Sequence, residues 1–107
     1  MDEPRRTNIR PEFWGRHGWA YLWAIALNFP EKPTSAERGA LRQFLGAMGQ
    51  LLPCQKCRDH YKNRHADGIA LDAASAGGAA LRRWVLDLHN VIRTEQHGRA
   101  PLAEQDA

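Results

Sequence analysis

The sequence predicts an all-α protein, a four-helix bundle with a short fifth helix as an option. Apolar side chains recur at helical spacing along most of the 107 residues, a periodicity typical of amphipathic helices that share one core. Sustained apolar–polar alternation and Asn-Gly or Asp-Gly hairpins between β-branched runs, the usual strand signals, are missing from the sequence. The length suits one domain with a single modest core.

The first helix is predicted from Pro11 to about Asn28, because proline fits the first turn of a helix and Pro30 stops it. Its apolar side chains occupy more than one face. Such a helix has to be covered on more than one side, by the core, by a partner subunit or by a cofactor.

The second helix opens at Thr34, where Glu37 three residues later completes a capping box. Pro53 ends this helix. Its apolar stripe consists of Leu41, Phe44, Leu45, Met48 and Leu52. A third and more polar helix is predicted to begin around Cys54 and to fade near Gly68.

Small residues dominate the stretch 69–78, which is predicted to be a loop. The fourth helix covers roughly Ala79 to Gln96, and Gly98 is its predicted stop. Its apolar stripe consists of Leu81, Trp84, Val85, Leu88 and Ile92.

One helical domain at 11–98 is expected between a disordered or extended segment at 1–10 and a flexible tail at 99–107. The polar start of the chain does not resemble a signal peptide, and no stretch reaches the ~20 apolar residues of a membrane span. The formal charge of +3 is small and scattered, which does not favour nucleic acid as a partner. We expect a soluble protein with no membrane or nucleic-acid partner, in a compartment that the sequence does not specify.

The chain has only two cysteines, Cys54 and Cys57, separated by two residues. A disulfide between them would close a very short loop and would therefore stabilise the fold little, because this stabilisation grows with loop length. The spacing suits thiol–disulfide exchange or metal binding. A helix that starts at Cys54, with Lys56 nearby, favours a thiolate there. Thioredoxin-like motifs accompany a βαβ pattern, which this sequence lacks.

Metal binding stays an alternative, because His60 and His65 follow the cysteines and bring the nitrogen and sulfur donors to four. Zinc sites usually take their ligand pairs from two separate elements, whereas Cys57 and His60 belong to one short helix. We therefore assign no metal ligands and interpret the two histidines as solvated residues on a helix face. The redox alternative requires an electron acceptor, and the four tryptophans with His89-Asn90 suggest a planar aromatic one.

Three segments, in order, resemble the Erv/ALR family of flavin-linked sulfhydryl oxidases. The first runs from Trp14-Gly15 through Trp19 to Asn28-Phe29-Pro30 and resembles the "WG…W..L…IA..YP" helix of the family. The second, Pro53-Cys54-Gln55-Lys56-Cys57-Arg58-Asp59-His60-Tyr61, resembles "PCxxCxxH(F/Y)". The third, from Leu81 through Arg83-Trp84-Val85 to Leu88-His89-Asn90, resembles "L..WV..LHN".

The resemblance implies an enzyme whose helical bundle holds FAD beside the dithiol. Electrons would pass from substrate thiols through the CxxC pair to FAD and then to dioxygen, giving a disulfide and hydrogen peroxide. Cys57 would face the flavin, and Cys54 would exchange with substrate. Members of the family are commonly homodimers joined through their first two helices, for which Trp23 and Leu27 are suitable contact residues.

The same resemblance implies a set of FAD-binding residues: Gly15, Arg16, Trp19, Trp23, Trp84, His89, Asn90 and Arg93. Trp23 stands where the family usually has histidine, and Arg93 stands where it has a second asparagine. The additional cysteine pairs of the family are missing. Electrons would therefore come directly from a protein or small-thiol substrate, or from a separate carrier. The alternatives to the oxidase are a degenerate relative that serves as a binding module and a small zinc-binding helical protein.

Overall fold

Five α-helices follow one another within residues 6–64 and 67–96, the part of the chain that the computed structural model describes. They are α1 (Pro11–Asn28), α2 (Ser35–Leu51), α3 (Gln55–Arg64), α4 (Gly68–Ala74) and α5 (Gly78–Val91), and a π-helical turn (Ile92–Gln96) follows α5. No strand occurs within those ranges. The all-α prediction is therefore confirmed, and the optional short helix exists.

The predicted ends of α1 and α2 agree with the structure because their signals are local. Pro11 occupies the first turn of α1. At α2, the Thr34 hydroxyl accepts a hydrogen bond from the Glu37 amide at 3.1 Å, and the Glu37 carboxylate accepts one from the Thr34 amide at 2.8 Å. This is the predicted capping box, which satisfies two backbone donors reciprocally.

The loop predicted for 69–78 is wrong over its first part, where the structure has α4. The Asp67 side chain caps this helix by accepting a hydrogen bond from the Ala70 amide at 2.8 Å. Leu71 and Ala74 are buried in the core. Packing of these two residues overrides the weak helical signal of a segment that is too short to be stable alone.

A polar cluster ties α4 to α2. The Ser75 hydroxyl, in a residue with 0% exposure, accepts hydrogen bonds from Arg38 at 3.3 Å and Arg42 at 3.2 Å. Both guanidinium groups also contact the Asp72 carboxylate, at 3.3 and 3.4 Å. The cluster therefore satisfies a buried hydroxyl and fixes the position of the short helix.

The turn before α5 passes very close to the linker between α1 and α2. The Gly78 amide donates a hydrogen bond to the Pro30 carbonyl at 3.0 Å, and the Ala79 amide donates to the Glu31 carboxylate at 3.2 Å. A Cβ atom added to Gly77 would lie 2.6 Å from the Glu31 carbonyl oxygen. Only glycine allows this approach, which sets where α5 starts.

Helix α5 lies at the centre of the bundle and contacts both α1 and α4, while α2 contacts α3 and α4. Four residues of its predicted stripe are buried, namely Leu81, Trp84, Val85 and Leu88. Among the described residues, no helix combines the length and apolar character needed to cross a bilayer. The predicted domain limits stay a prediction, and the tail at 99–107, the stop at Gly98 and the first five residues lie outside the described part.

Candidate active site

The two cysteines lie where the chain turns from α2 into α3. Cys54 immediately precedes α3, and Cys57 is in its first turn. Both are present as thiols and are half-buried. The Cys57 amide donates a hydrogen bond to the Cys54 sulfur at 3.4 Å, so Cys54 occupies the capping position that Ser, Thr, Asp or Asn usually fills. The positive end of the helix dipole is therefore directed at Cys54.

Residues ahead of α1 support this cysteine loop. The Asn8 side-chain oxygen accepts a hydrogen bond from the Gln55 amide at 2.9 Å, and the Ile9 amide donates to the Pro53 carbonyl at 2.7 Å. The Trp14 indole N–H in turn donates to the Ile9 carbonyl at 2.9 Å. Sequence reasoning missed the role of Asn8, because the amide that it caps is 47 positions away.

Burial raises the pKa of Cys57 to about 12, and a hydrogen bond with Cys54 and the charge of Cys54 act in the same direction. A backbone hydrogen bond and the nearby Arg58 charge oppose the shift without cancelling it. In the reduced pair Cys57 therefore holds its proton at neutral pH.

Tyr61 and Trp84 connect the cysteine helix to α5. Tyr61 lies one turn after Cys57 on the same face of α3, and its ring meets the Trp84 ring edge-on with centroids 5.9 Å apart. The Tyr61 hydroxyl donates a hydrogen bond to the Leu45 carbonyl. Trp84 is buried. This predicted site residue therefore packs against the helix that carries the dithiol.

Trp19 and His89 form a stacked pair between α1 and α5. Their ring centroids are 4.0 Å apart and the planes are inclined by 13°. Burial, together with the Arg93 charge, lowers the pKa of His89 to about 4. The Nδ1 atom of His89 is buried without a hydrogen-bond partner among the described residues. A neutral imidazole with an unsatisfied nitrogen is thus stacked on an indole.

The predicted α1 residues share one face, because Gly15, Trp19 and Trp23 are spaced by four. The Trp23 indole nitrogen is buried and, within the described residues, has no partner. A Cβ atom added to Gly15 would meet no described atom within 4 Å, so the face is open at that point. Arg16 is exposed beside it.

The remaining predicted residues, Asn90 and Arg93, are half-buried at the end of α5 and in the π-helical turn. The structure thus groups Trp19, His89 and Arg93, and separately places Trp84 against the cysteine helix. His89 follows Trp84 by five positions along α5, a rise of about 7.5 Å. Both groups therefore lie along α5.

Several features of this side of the bundle fit FAD, a flat heteroaromatic group with hydrogen-bonding edges. Stacked rings offer faces for a planar ligand. The orphaned nitrogens of Trp23 and His89 are the kind of buried polar atom that a ligand satisfies. A Cβ atom at Gly15 would meet no described atom within 4 Å, so no described side chain covers the helix face at that point. The residues present therefore suit the cofactor that the resemblance implies.

His60 differs from the sequence interpretation, which made it a solvated residue. It is half-buried, and its Nδ1 atom has no partner in the part of the chain that is described. No group of three or more His, Cys, Asp and Glu side chains within 6–64 and 67–96 is placed to hold a metal ion. His65, the fourth donor of the zinc alternative, lies outside the described residues.

Comparison with known proteins supports the resemblance. A probable FAD-linked sulfhydryl oxidase of Acanthamoeba polyphaga mimivirus is 33% identical over 84 residues, covering 78% of this chain and 59% of that protein. The FAD-linked sulfhydryl oxidase ERV1 of Arabidopsis thaliana is 27% identical over 85 residues, covering 78% and 42%. The chain thus spans about half the length of these relatives.

The fold is also that of a solved structure. The crystal structure of the yeast Erv1 core superposes with a TM-score of 0.79 at 20% identity, covering 98% of this chain and 86% of that one. The profile of the Erv1 / Alr family matches residues 16–104. The family resemblance is therefore confirmed: this chain belongs to the Erv1/Alr family.

Proposed function

We propose that this protein is an FAD-dependent thiol oxidase that converts two thiols and dioxygen into a disulfide and hydrogen peroxide. The observation that carries the proposal is the Cys54–Cys57 pair at the start of α3, in a chain of the Erv1/Alr family. The relatives described above bear the name FAD-linked sulfhydryl oxidase. The likeness to the yeast Erv1 core supports the fold alone.

The exchange begins on the oxidised pair, in which Cys54 and Cys57 form a disulfide. A substrate thiolate attacks the Cys54 sulfur, a new bond forms to it, and the old bond breaks with its electron pair on Cys57. Cys57 then takes a proton, and burial, the largest cause of its raised pKa, favours this protonation. A second substrate thiolate attacks the substrate sulfur of the mixed disulfide, so that the substrate disulfide leaves and Cys54 is released.

The cofactor would be held mainly by residues of α1 and α5. Trp19 and His89 offer ring faces, and Trp23 offers an indole N–H donor. Arg93 offers a guanidinium, a group that suits a pyrophosphate. Bound FAD would supply acceptance of the two electrons and two protons of the dithiol, and their delivery to dioxygen as hydrogen peroxide.

We further propose a homodimer joined through α1 and α2. Helix α1 carries Phe13, Tyr21 and Leu27 with 77%, 63% and 68% exposure, and α2 adds exposed Phe44 and Leu51. Large exposed apolar side chains, here on two consecutive helices, are typical of an interface. Trp23 is half-buried within the protomer, so Leu27 is the better candidate of the two residues expected from the sequence.

The test starts from the visible spectrum and oxygen consumption of the purified protein. We expect a yellow protein with releasable FAD, and oxygen uptake with dithiothreitol that is lost in both Cys54→Ser and Cys57→Ser while the colour stays. Loss of uptake without loss of colour separates the thiol chemistry from cofactor binding.

A colourless protein that cannot be loaded with FAD would overturn the oxidase. A yellow protein without turnover would instead favour the degenerate binding module, an outcome consistent with tryptophan at position 23. Light scattering of the wild type and of Leu27→Glu tests the dimer: a monomeric wild type would contradict it.

A further inference from the structure

An open groove of about 890 Å³ lies beside the cysteine loop, between α2, α3 and the segment ahead of α1. Its polar lining comprises Arg6, Gln50, Gln55, Arg58, Asp59 and Lys62. Gln55 directly follows Cys54, and consecutive Cα atoms are about 3.8 Å apart. The face of α3 that lines the groove, Gln55, Arg58, Asp59 and Lys62, therefore begins one residue after Cys54.

The charge of this groove is positive. Three basic side chains and one acidic side chain line its described part. The acid, Asp59, already accepts a hydrogen bond from the Gln55 side chain at 3.0 Å. The amino-terminal end of α3 adds the positive end of a helix dipole. An anionic ligand is thus favoured over a cationic one.

Two of the cations are held in place. The Arg58 guanidinium donates to the Leu52 carbonyl and, at 2.9 Å, to the Gln55 side chain. Arg6 donates to the Gln50 carbonyl at 2.8 Å. A guanidinium has five donors, so these bonds orient the groups and leave donors for a ligand. Such orientation lowers the entropy lost on binding.

We propose that this groove docks an acidic, cysteine-containing peptide segment of a client protein and presents its thiol to Cys54. The inference rests on the proposed oxidase function and names its substrate class. Pockets for small ligands measure about 300–1,000 Å³, so the groove can take several residues of extended chain. Carboxylates of the segment pair with Arg58 and Lys62, since guanidinium and ammonium groups bind carboxylates well.

Docking leaves the chemistry unchanged. The thiolate of the segment attacks the Cys54–Cys57 disulfide, a bond to Cys54 forms, and Cys57 leaves with the electron pair. A second thiol of the same segment then closes the client disulfide. Dioxygen remains the final oxidant, as in the proposed function.

The experiment uses the full chain loaded with FAD and three dithiol peptides of equal length, flanked by glutamate, serine or lysine. Oxygen uptake gives kcat/KM for each. We expect kcat/KM for the glutamate peptide to be about tenfold higher than kcat/KM for the lysine peptide at low salt. The ratio should fall to about twofold at 1 M salt, where the screening length is about 3 Å.

Two charge-reversal variants test whether the preference for the glutamate peptide arises in the groove. Lys62→Glu should lower kcat/KM for the glutamate peptide about fivefold, and uptake with uncharged dithiothreitol should stay within about twofold because that thiol makes no charge contact. Lys32→Glu is the matched control, because it makes the same change of charge at an exposed position outside the groove. It should leave both rates as in the wild type.

Equal rates for the three peptides, or equal effects of the two reversals, would overturn the docking inference while dithiothreitol oxidation continued. Failure of the wild type to oxidise dithiothreitol would instead overturn the proposed function. The two failures are thus distinguishable.

Discussion

Gly77→Ala should strongly destabilise the bundle. The added methyl would lie 2.6 Å from the Glu31 carbonyl oxygen and 3.3 Å from its carbon. An ordinary separation begins near 3.5 Å, so one backbone segment has to move by roughly 1 Å. Overpacking of this kind costs about 2 kcal/mol. Loss of the adjoining hydrogen bond from Gly78 to Pro30 adds about 1 kcal/mol.

The sum of about 3 kcal/mol corresponds to a fall in melting temperature of roughly 15 °C for a domain of this size. Thermal unfolding followed by far-ultraviolet circular dichroism measures it. Gly39→Ala is the matched control: its methyl meets no described atom within 4 Å, and alanine should stabilise α2 by up to about 1 kcal/mol. A melting temperature for Gly77→Ala within 3 °C (roughly 0.5 kcal/mol) of the wild type would refute the close approach. Since α5 carries Trp84 and His89, the same variant should retain less FAD.

Three further outcomes follow from single side chains. The pKa of His89 is lowered to about 4 in the fold, whereas it is about 6.5 in the unfolded chain. The unfolded state therefore takes up the proton first, and the contribution of neutral His89 to folding stability, complete above about pH 6.5, is lost as the pH falls to about 4. The free energy of unfolding, measured by chemical denaturation, should therefore fall by about 1 kcal/mol over this pH range, a value discounted for the partial exposure of the ring. This fall should be absent in His89→Gln, and the same pH dependence in the variant and the wild type would contradict the reasoning. Asn8→Ala should cost about 1 kcal/mol and slow dithiothreitol oxidation, because the Gln55 amide loses its cap, and an unchanged rate and stability would argue against this support. Tyr61→Phe should cost about 1 kcal/mol by removing the hydrogen bond from its hydroxyl to the Leu45 carbonyl, and denaturation at the wild-type midpoint would exclude it.

The elements that were predicted correctly have their determinants close together in sequence. The capping box of α2 is formed by Thr34 and Glu37, which are three positions apart. The apolar stripe of α5 extends over about four consecutive turns of one helix. Helix α4 was missed because its stability comes from elsewhere. Its buried face packs against other helices, and its polar contacts come from Arg38 and Arg42, at least 30 positions away. The small residues of this segment therefore predicted a loop.

In the candidate site, too, local features could be predicted from the sequence, whereas contacts between distant segments could not. The cysteine pair and its position at a helix start follow from local spacing. The stacked rings of Trp19 and His89 are 70 residues apart, and only the family resemblance brought them into one site. The cap from Asn8 and the buried nitrogen of His60 had no signal in the sequence, because each depends on packing between distant segments.

The strap formed by Asn8 and Ile9 across the cysteine loop has a consequence for engineered fusions. A cysteine-bearing sequence fused at Met1 would join the chain seven residues before Asn8, whose side chain bonds the Gln55 amide next to Cys54. A short flexible tether of this kind creates an effective concentration in the millimolar range. If the proposed oxidase acts on such a fused sequence, its oxidation becomes intramolecular, and the rate no longer depends on the concentration of the enzyme.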